Sequence, residues 1–506
     1  MNWTEAALRG RKMKKTSLHW IVMVLVFLTA ARLQSQEMLG LPFSLYSGVT
    51  STAINPALLT GTRVFIDVNI VNGDVSFANN MFYFPSGNMT LSQAIHLDAS
   101  LFKDGEFKWG RSFNYYDNTT DKYFTNNIKI TGPSIMLQDG RHAFALTTTF
   151  RSFHSGNHIP YEIPIIAYEE YSFPRFHGVE FNDNDYSFVS MTWSEIGLSY
   201  ALDVYERYNN RLTFGITAKA LLGQEGAYIE MRNANFIIEN SSDIDFKNID
   251  ADIGFALPFG YGDEFTTNFK PLFKGYGLGL DFGLVFTKLK STIAGRAENK
   301  LCAKPFRDFV YKIGFSILDI GAVTFTEDAQ LHEFNNVSKH WLDFDTIHFR
   351  GIESQMEIYS MGFYGDPDKS HTANKIKIGL PASISLQFDY HLKKNIYLSS
   401  LWMQPLKLNA RTLWRPAQLA FIPRYENRYF GVSLPVSLFN YREPRLGLAI
   451  RLYSLTMGTD RLGSLLGLFN FDGMDFYFSF SLNIGKGSCM SAKRGACSNK
   501  GFGNNW

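Results

Sequence analysis

From Lys375 to Tyr390 the chain reads K-I-K-I-G-L-P-A-S-I-S-L-Q-F-D-Y. Ile376, Ile378, Leu380, Ala382, Ile384, Leu386, Phe388 and Tyr390 take every second position. Lys375, Lys377, Gly379, Ser383, Ser385, Gln387 and Asp389 take the others. Side chains alternate across a strand, so the pattern predicts one unbroken strand with an apolar and a polar face. Its length constrains the fold. Strands of soluble proteins usually run about 5–6 residues, whereas a membrane barrel needs about 9–11 per crossing and often extends past the bilayer. Near the C-terminus the pattern returns: Phe476, Phe478, Phe480, Leu482 and Ile484 alternate with Asp475, Tyr477, Ser479, Ser481 and Asn483.

The same alternation recurs in Val64–Ile70, Ile196–Val204, Leu212–Ala218, Tyr276–Phe286, Tyr311–Ile317, Phe430–Leu438 and Leu446–Leu452. Links of two sizes separate these runs. Short ones are expected at Gln138–Arg141, Arg207–Asn210, His391–Lys394 and Asn440–Pro444, and long ones at 85–125, 157–186, 334–373, 409–427 and 457–472. Short turns at one end and long loops at the other mark an outer-membrane barrel. The expectation is an all-β, transmembrane antiparallel β-barrel of about fourteen strands, the count being least fixed in 239–275. A secreted sandwich or propeller would explain the alternation but not the strand length or the loop asymmetry.

Met13-Lys14-Lys15, the apolar run Trp20–Ala31 and the small residue Ser35 read as a signal peptide over 1–35, with 1–12 an extension upstream of Met13. The alternative is an uncleaved anchor, for which the run is short. The remaining organisation is a plug-like segment at 36–62, a barrel at 63–485 and a basic, Gly/Ser/Asn-rich tail at 486–506, expected to be disordered in the periplasm. The formal charge of +2 argues against a nucleic-acid partner. Aromatic residues make up 15% of the chain, which suits interfacial girdles around a barrel. With three cysteines, one bond between Cys489 and Cys497 can form in an oxidising compartment.

Chemical motifs are scarce. Gly275-Tyr276-Gly277-Leu278-Gly279 lies within a strand, not at the strand-to-helix turn that a phosphate loop needs. Asp281-Phe282-Gly283 lacks the companion loops of a kinase. His154 and His158 flank Gly156 in what reads as a surface loop. No metal site, cofactor or covalent chemistry is expected, although a barrel could gather dispersed Asp, His and Ser residues as outer-membrane lipases and proteases do. Asn55-Pro56-Ala57 is more informative: Asn at an N-cap with Pro at the first helical position starts a short helix, or else an Asn-Pro turn.

An N-P-A segment ahead of about fourteen strands resembles the long-chain fatty-acid transporter superfamily. Gly458-Thr459-Asp460-Arg461-Leu462 and Gly473-Met474-Asp475-Phe476-Tyr477 resemble motifs of uncharacterised outer-membrane barrels of Bacteroidota, a domain of unknown function related to that superfamily. Only N-P-A of the transporters' longer N-terminal motif is present. The resemblance implies an outer-membrane protein whose partners are lipid and either a small hydrophobic ligand or envelope proteins. One function would be passive transport of a hydrophobic or amphipathic molecule past lumen-facing Glu195, Lys219, Lys375, Lys377, Gln387, Asp389, Arg451 and Asp475. The other would be a structural or assembly subunit of a secretion, motility or surface-attachment complex, in which those side chains pair with one another.

Overall fold

Period-2 segments pair with their sequence neighbours until the sheet returns to its start. The computed structural model describes residues 38–86, 112–171, 173–183, 185–261, 271–290, 307–347 and 351–484. The expected signal peptide, the basic tail with Cys489 and Cys497, and Cys302 lie outside the described residues.

Fourteen antiparallel strands form one closed sheet. The first five are β1 (Ile66–Asn79), β2 (Lys122–Thr131 and Ser134–Asp139), β3 (His142–Ile159), β4 (Glu180–Asp183 and Tyr186–Arg207) and β5 (Asn210–Ile238). Next are β6 (Ile244–Ala256 and Gly275–Leu289), β7 (Phe309–Phe325 and Gln330–Trp341) and β8 (His371–Ala373, Ile376–Gly379 and Ser383–Lys393). The last six are β9 (Ile396–Pro405), β10 (Gln418–Glu426), β11 (Phe430–Ser433 and Val436–Phe439), β12 (Glu443–Leu446 and Leu448–Leu452), β13 (Leu455–Thr459) and β14 (Gly473–Ile484). Closure comes from β1 against β14, with Ile66 opposite Ile484 and Val68 opposite Leu482.

Tight turns gather at one end: Gly140-Arg141, Tyr208-Asn209, Lys394-Asn395, 427–429 and Tyr453-Ser454. Gly140, Tyr208, Lys394 and Tyr453 all have positive φ, as such hairpins require. The short link at Asn440–Arg442 belongs to the opposite end, among the long loops, contrary to the sequence expectation. At that end β5, β6 and β7 rise beyond the wall into a lobe with an aromatic core, covered by helices α1 (Glu162–Glu169) and α2 (Ile352–Tyr364). Helix α2 stops at Gly365, whose φ of +74° is the usual left-handed stop. Arg175 ties two of the outer loops together through Asp117 (2.6 and 2.8 Å) and holds that carboxyl below its usual range.

The outer face is an apolar belt. Leu278 is 75% and Leu198 62% exposed, with Leu284, Leu386, Phe388, Phe421, Ile450, Phe480 and Leu482 also on it. An exposed apolar surface of this extent is what lipid solvates. Among the described residues no helix is long and apolar enough to cross a membrane.

One expectation fails in the segment with the longest pattern. In β8, Ser383, Ser385, Gln387 and Asp389 are buried inside while Leu386 and Phe388 face out. Beyond Pro381 the phase reverses: Ile376, Ile378 and Leu380 are buried in an internal apolar cluster, and Lys375 and Lys377 are exposed on the outer face. The reversal sits at a tight turn in which Ala382 N–H donates to Leu380 O (2.8 Å). The adjacent β7 reverses at the same level, where Leu318 and Asp319 are buried in succession and Asp319 has φ +55°. Lys375 and Lys377 therefore do not line the lumen. The apolar–polar alternation runs through the turn without a break, so the sequence pattern could not reveal the switch.

This assignment predicts that Ile378→Ala costs about 2–5 kcal/mol as a buried truncation, while Lys377→Ala stays within about 0.5 kcal/mol. Leu386→Arg should cost about 2–4 kcal/mol if it lies near the bilayer midplane. Denaturant unfolding in lipid vesicles measures all three. A larger cost for Lys377→Ala than for Ile378→Ala would reverse the faces.

Candidate functional site

Residues 38–62 fold into the lumen as a chain of turns carrying two 3-10 helices, Gly48–Ala53 and Pro56–Gly61. Asn55 is the N-cap of the second, extended at φ −168°, and its side chain accepts from Ala57 N–H (2.9 Å); Pro56 fills the first helical position. Both residue choices follow from cap chemistry, since Asn satisfies a free N–H and Pro has none to satisfy.

The N-P-A turn docks on a wall of glycines. A Cβ on Gly215 would lie 2.3 Å from Ala57 N, and one on Gly283 2.0 Å from Asn55 Oδ1. One on Gly314 would lie 2.1 Å from Gln387 Oε1. No side chain fits between turn and wall at these positions. Asn55 Nδ2 donates to Gln387 Oε1 (2.9 Å) and to the wall carbonyls of Leu284 and Phe315 (both 3.2 Å). Gln387 in return donates to Ile54 O (3.2 Å).

Acceptors from around the wall hold the rest of the segment by its donors. Asp460 accepts from Leu39 N–H (3.1 Å) and the Tyr477 hydroxyl from Gly40 N–H (3.1 Å). Glu426 accepts from Leu45 N–H (3.2 Å) and the Ser44 hydroxyl, Asp67 from Val49 N–H (2.8 Å), and Asp203 from the Thr60 hydroxyl (2.8 Å). Gly48 has φ +52°, and a Cβ there would strike the Asp67 carboxylate, so the close approach needs glycine. The ring of Tyr46 lies under Arg451 (4.4 Å).

Above this segment lies a layer of buried charges. Arg151 pairs with Glu195 and Asp319 (both 3.1 Å), and Lys219 with Asp319 (2.6 Å) and Asp281 (2.9 Å). Trp193 Nε1 donates to Glu195 (2.7 Å) and its ring lies under Arg151 (4.8 Å). Next comes the apolar cluster, with Phe153, Trp193, Leu221, Phe325, Ile378 and Leu380 among its members. The loop 406–417 folds inward over it. Gly379 N–H donates to Arg411 O (2.9 Å), Trp414 N–H donates to Ser155 Oγ (2.9 Å), and Leu413 joins the cluster. Two cavities flank the N-terminal segment and hold about 20 Å³ each, room for a water.

Of the sequence-selected residues, Glu195 and Lys219 lie in the charge layer. Gln387 and Arg451 touch the N-terminal segment, Asp389 pairs with Arg424 (2.9 Å), and Asp475 accepts from Asp460 N–H (2.8 Å). Lys375 and Lys377 stand outside. His154 is not in a surface loop: it is buried in β3, bonded to Ser190 (2.6 Å) and Ser152 (3.0 Å). Sequence reasoning missed Arg151, Asp319, Asp203 and Glu426. The one visible hint was Asp319 interrupting an apolar run, I-L-D-I. It also missed a trio on the outer lobe, Glu239, Asp245 and His340, whose ligand atoms lie within 4.8 Å of one another; Lys247 already pairs with Asp245 there.

The arrangement around 38–62 is a set of acceptors that grips a peptide segment through reversible hydrogen bonds. Gly283→Ala should loosen the segment by collision with Asn55, and Asn55→Ala should cost about 0.5–2 kcal/mol through loss of its cap. Removing the collided side chain makes the double variant less damaging than the sum of the singles. Thermal unfolding of the four proteins measures this, and strict additivity would contradict the docking.

Among solved structures the chain is similar to the TodX deltaS2S3 mutant monoaromatic hydrocarbon channel (9% identity over 87% of this chain and 95% of that one, TM-score 0.39). It is also similar to a Pseudomonas aeruginosa FadL homologue (11%, 89% and 96%, TM-score 0.36) and to the Pseudomonas putida toluene transporter TodX (9%, 90% and 97%, TM-score 0.30). No curated protein sequence matches it. A family model described as a family of unknown function (DUF5723) matches residues 56–460, from Pro56 of the docked turn to Asp460, which accepts from Leu39 N–H, and the chain belongs to that family.

Proposed function

We propose that this chain is an outer-membrane barrel that passes a small hydrophobic molecule passively, with the N-terminal segment as its gate. The observation that carries the reading is the apolar cluster inside the barrel, built from wall residues such as Trp193, Phe325 and Ile378. A water-filled porin lines its lumen with polar groups. A hydrophobic molecule entering from the long-loop end would displace the loop 406–417 and exchange its contacts with water for contacts with the cluster. To leave, it must pass the charge layer and the gripped segment, so transport requires 38–62 to move. Hydrogen bonds of about 0.5–1.5 kcal/mol each, or about 1.5–3 kcal/mol where the acceptor is charged, allow that movement without unfolding the wall.

A second reading, a structural or assembly subunit of an envelope complex, is favoured by the small volume of the two cavities beside the N-terminal segment and by the outer lobe. The two separate in a planar bilayer. Deleting 38–62 should leave a barrel that still migrates as a compact band before boiling, with conductance well above that of the full chain. A folded deletion variant with unchanged conductance would fail the gate and favour the structural reading.

A further inference from the structure

The wall is lowest at β13, which has five residues, Leu455–Thr459. At about 3.3 Å per residue and a tilt of about 40°, such a strand rises roughly 13 Å along the barrel axis. The apolar band of a membrane barrel is about 25 Å tall. Thr459 pairs with Leu448, and β12 continues beyond that level through Glu443–Leu446. The following segment packs beside this upper piece of β12, with Arg461 reaching Glu443 (3.3 Å). Part of the loop 460–472 therefore stands where the neighbouring wall still faces lipid.

Its chemistry fits that height. Residues 462–471 read L-G-S-L-L-G-L-F-N-F and contain no charge. The segment opens with one turn of helix, Leu462–Leu465. Leu466 N–H then donates to Leu462 O (3.0 Å), Gly467 N–H to Ser464 O (3.2 Å) and Leu468 N–H to Gly463 O (3.1 Å). Phe471 and Phe84 exchange both backbone bonds (2.8 and 3.0 Å). These donors are used internally, which is what hydrocarbon demands of a backbone. The side chains do the opposite and turn outward: Leu466, Leu468 and Phe469 are 62%, 65% and 67% exposed. They continue the belt upward from Leu455 and Met457, which are 40% and 45% exposed.

We infer that 462–471 is a membrane-seated loop that buries Leu466, Leu468 and Phe469 among the acyl chains of the leaflet at the long-loop end. It makes up wall height that β13 does not supply and fixes the depth of the barrel on that side, as interfacial apolar segments do. Lipid is the occupant because the patch is continuous with the lipid-facing belt and carries no charge for a protein partner to pair. The inference rests on the barrel spanning a membrane.

Nitroxide labels in phosphatidylcholine vesicles test it, in full-length protein whose three native cysteines are serine. Leu468→Cys reports the loop, Leu386→Cys the belt and Ser338→Cys the aqueous lobe. The label at 468 should behave like that at 386, colliding several-fold more often with oxygen than with a neutral nickel chelate. A ratio at 468 like that at 338, with a lipid-like ratio at 386, overturns the inference and leaves the barrel in its membrane. A label at 468 shielded from both reagents marks protein cover and also overturns it. A water-like ratio at 386 removes the membrane reading and the inference with it.

Discussion

The pairing of β1 with β14 is the contact on which the rest of the molecule stands. An open sheet would present a row of unpaired N–H and C=O groups, which neither lipid nor a lipid-facing belt can satisfy. Closure removes both edges and gives every strand two environments. It also places the start of the chain. Phe65 N–H already bonds Ile484 O (2.8 Å), and Asn483 reaches back to Tyr46 O (3.0 Å). The segment that precedes β1 thus leaves the seam on the inner side, at the short-turn end, within reach of acceptors from across the wall.

The interior is layered, and β5 shows the order. Gly215 lies against the N-P-A turn, Lys219 in the charge layer, Leu221 and Tyr228 in the apolar cluster, and Phe236 in the core of the outer lobe. Each layer uses what its position allows. Glycines make room where backbone meets backbone. The charged groups are buried as a connected set, because an isolated ion there would cost several kcal/mol. The left-handed Asp319 lies where β7 changes face and also anchors both Arg151 and Lys219. In β7 this local departure from strand geometry separates a lower part that buries Lys312 and Ser316 from an upper part that buries Val323 and Phe325. Under the proposed transport function the apolar cluster would receive the hydrophobic molecule, and the gripped segment below it would control passage.

The barrel was legible because period 2 and strand length are local signals. The expectation for 475–484 holds, with Ser479 and Ser481 inside and Phe480 and Leu482 outside. So does the N-cap at Asn55, whose chemistry needs only its two neighbours. Two kinds of feature stay hidden from local alternation, face reversals and contacts across the lumen. Alternation puts Lys375 and Lys377 inside, yet the turn at Pro381 reverses the face without disturbing the pattern. The glycines at 215, 283 and 314 were visible, but their shared purpose was not, since the turn they receive is more than 150 residues away in sequence. Arg151, Asp203 and Glu426 resemble any polar strand residue until closure brings them to the same segment or the same ion layer.

The central claim is that 38–62 is a structured part of the lumen held by wall acceptors. Hydrogen–deuterium exchange on the full-length protein folded in lipid addresses it directly. The amides of Leu39, Gly40, Leu45, Val49 and Ala57 each have a side-chain acceptor. Peptides covering 38–62 should exchange as slowly as those of the closing strand β14. Exchange within seconds, at the rate of a free peptide, would mean that the segment is not seated in the barrel, and the gate would be contradicted.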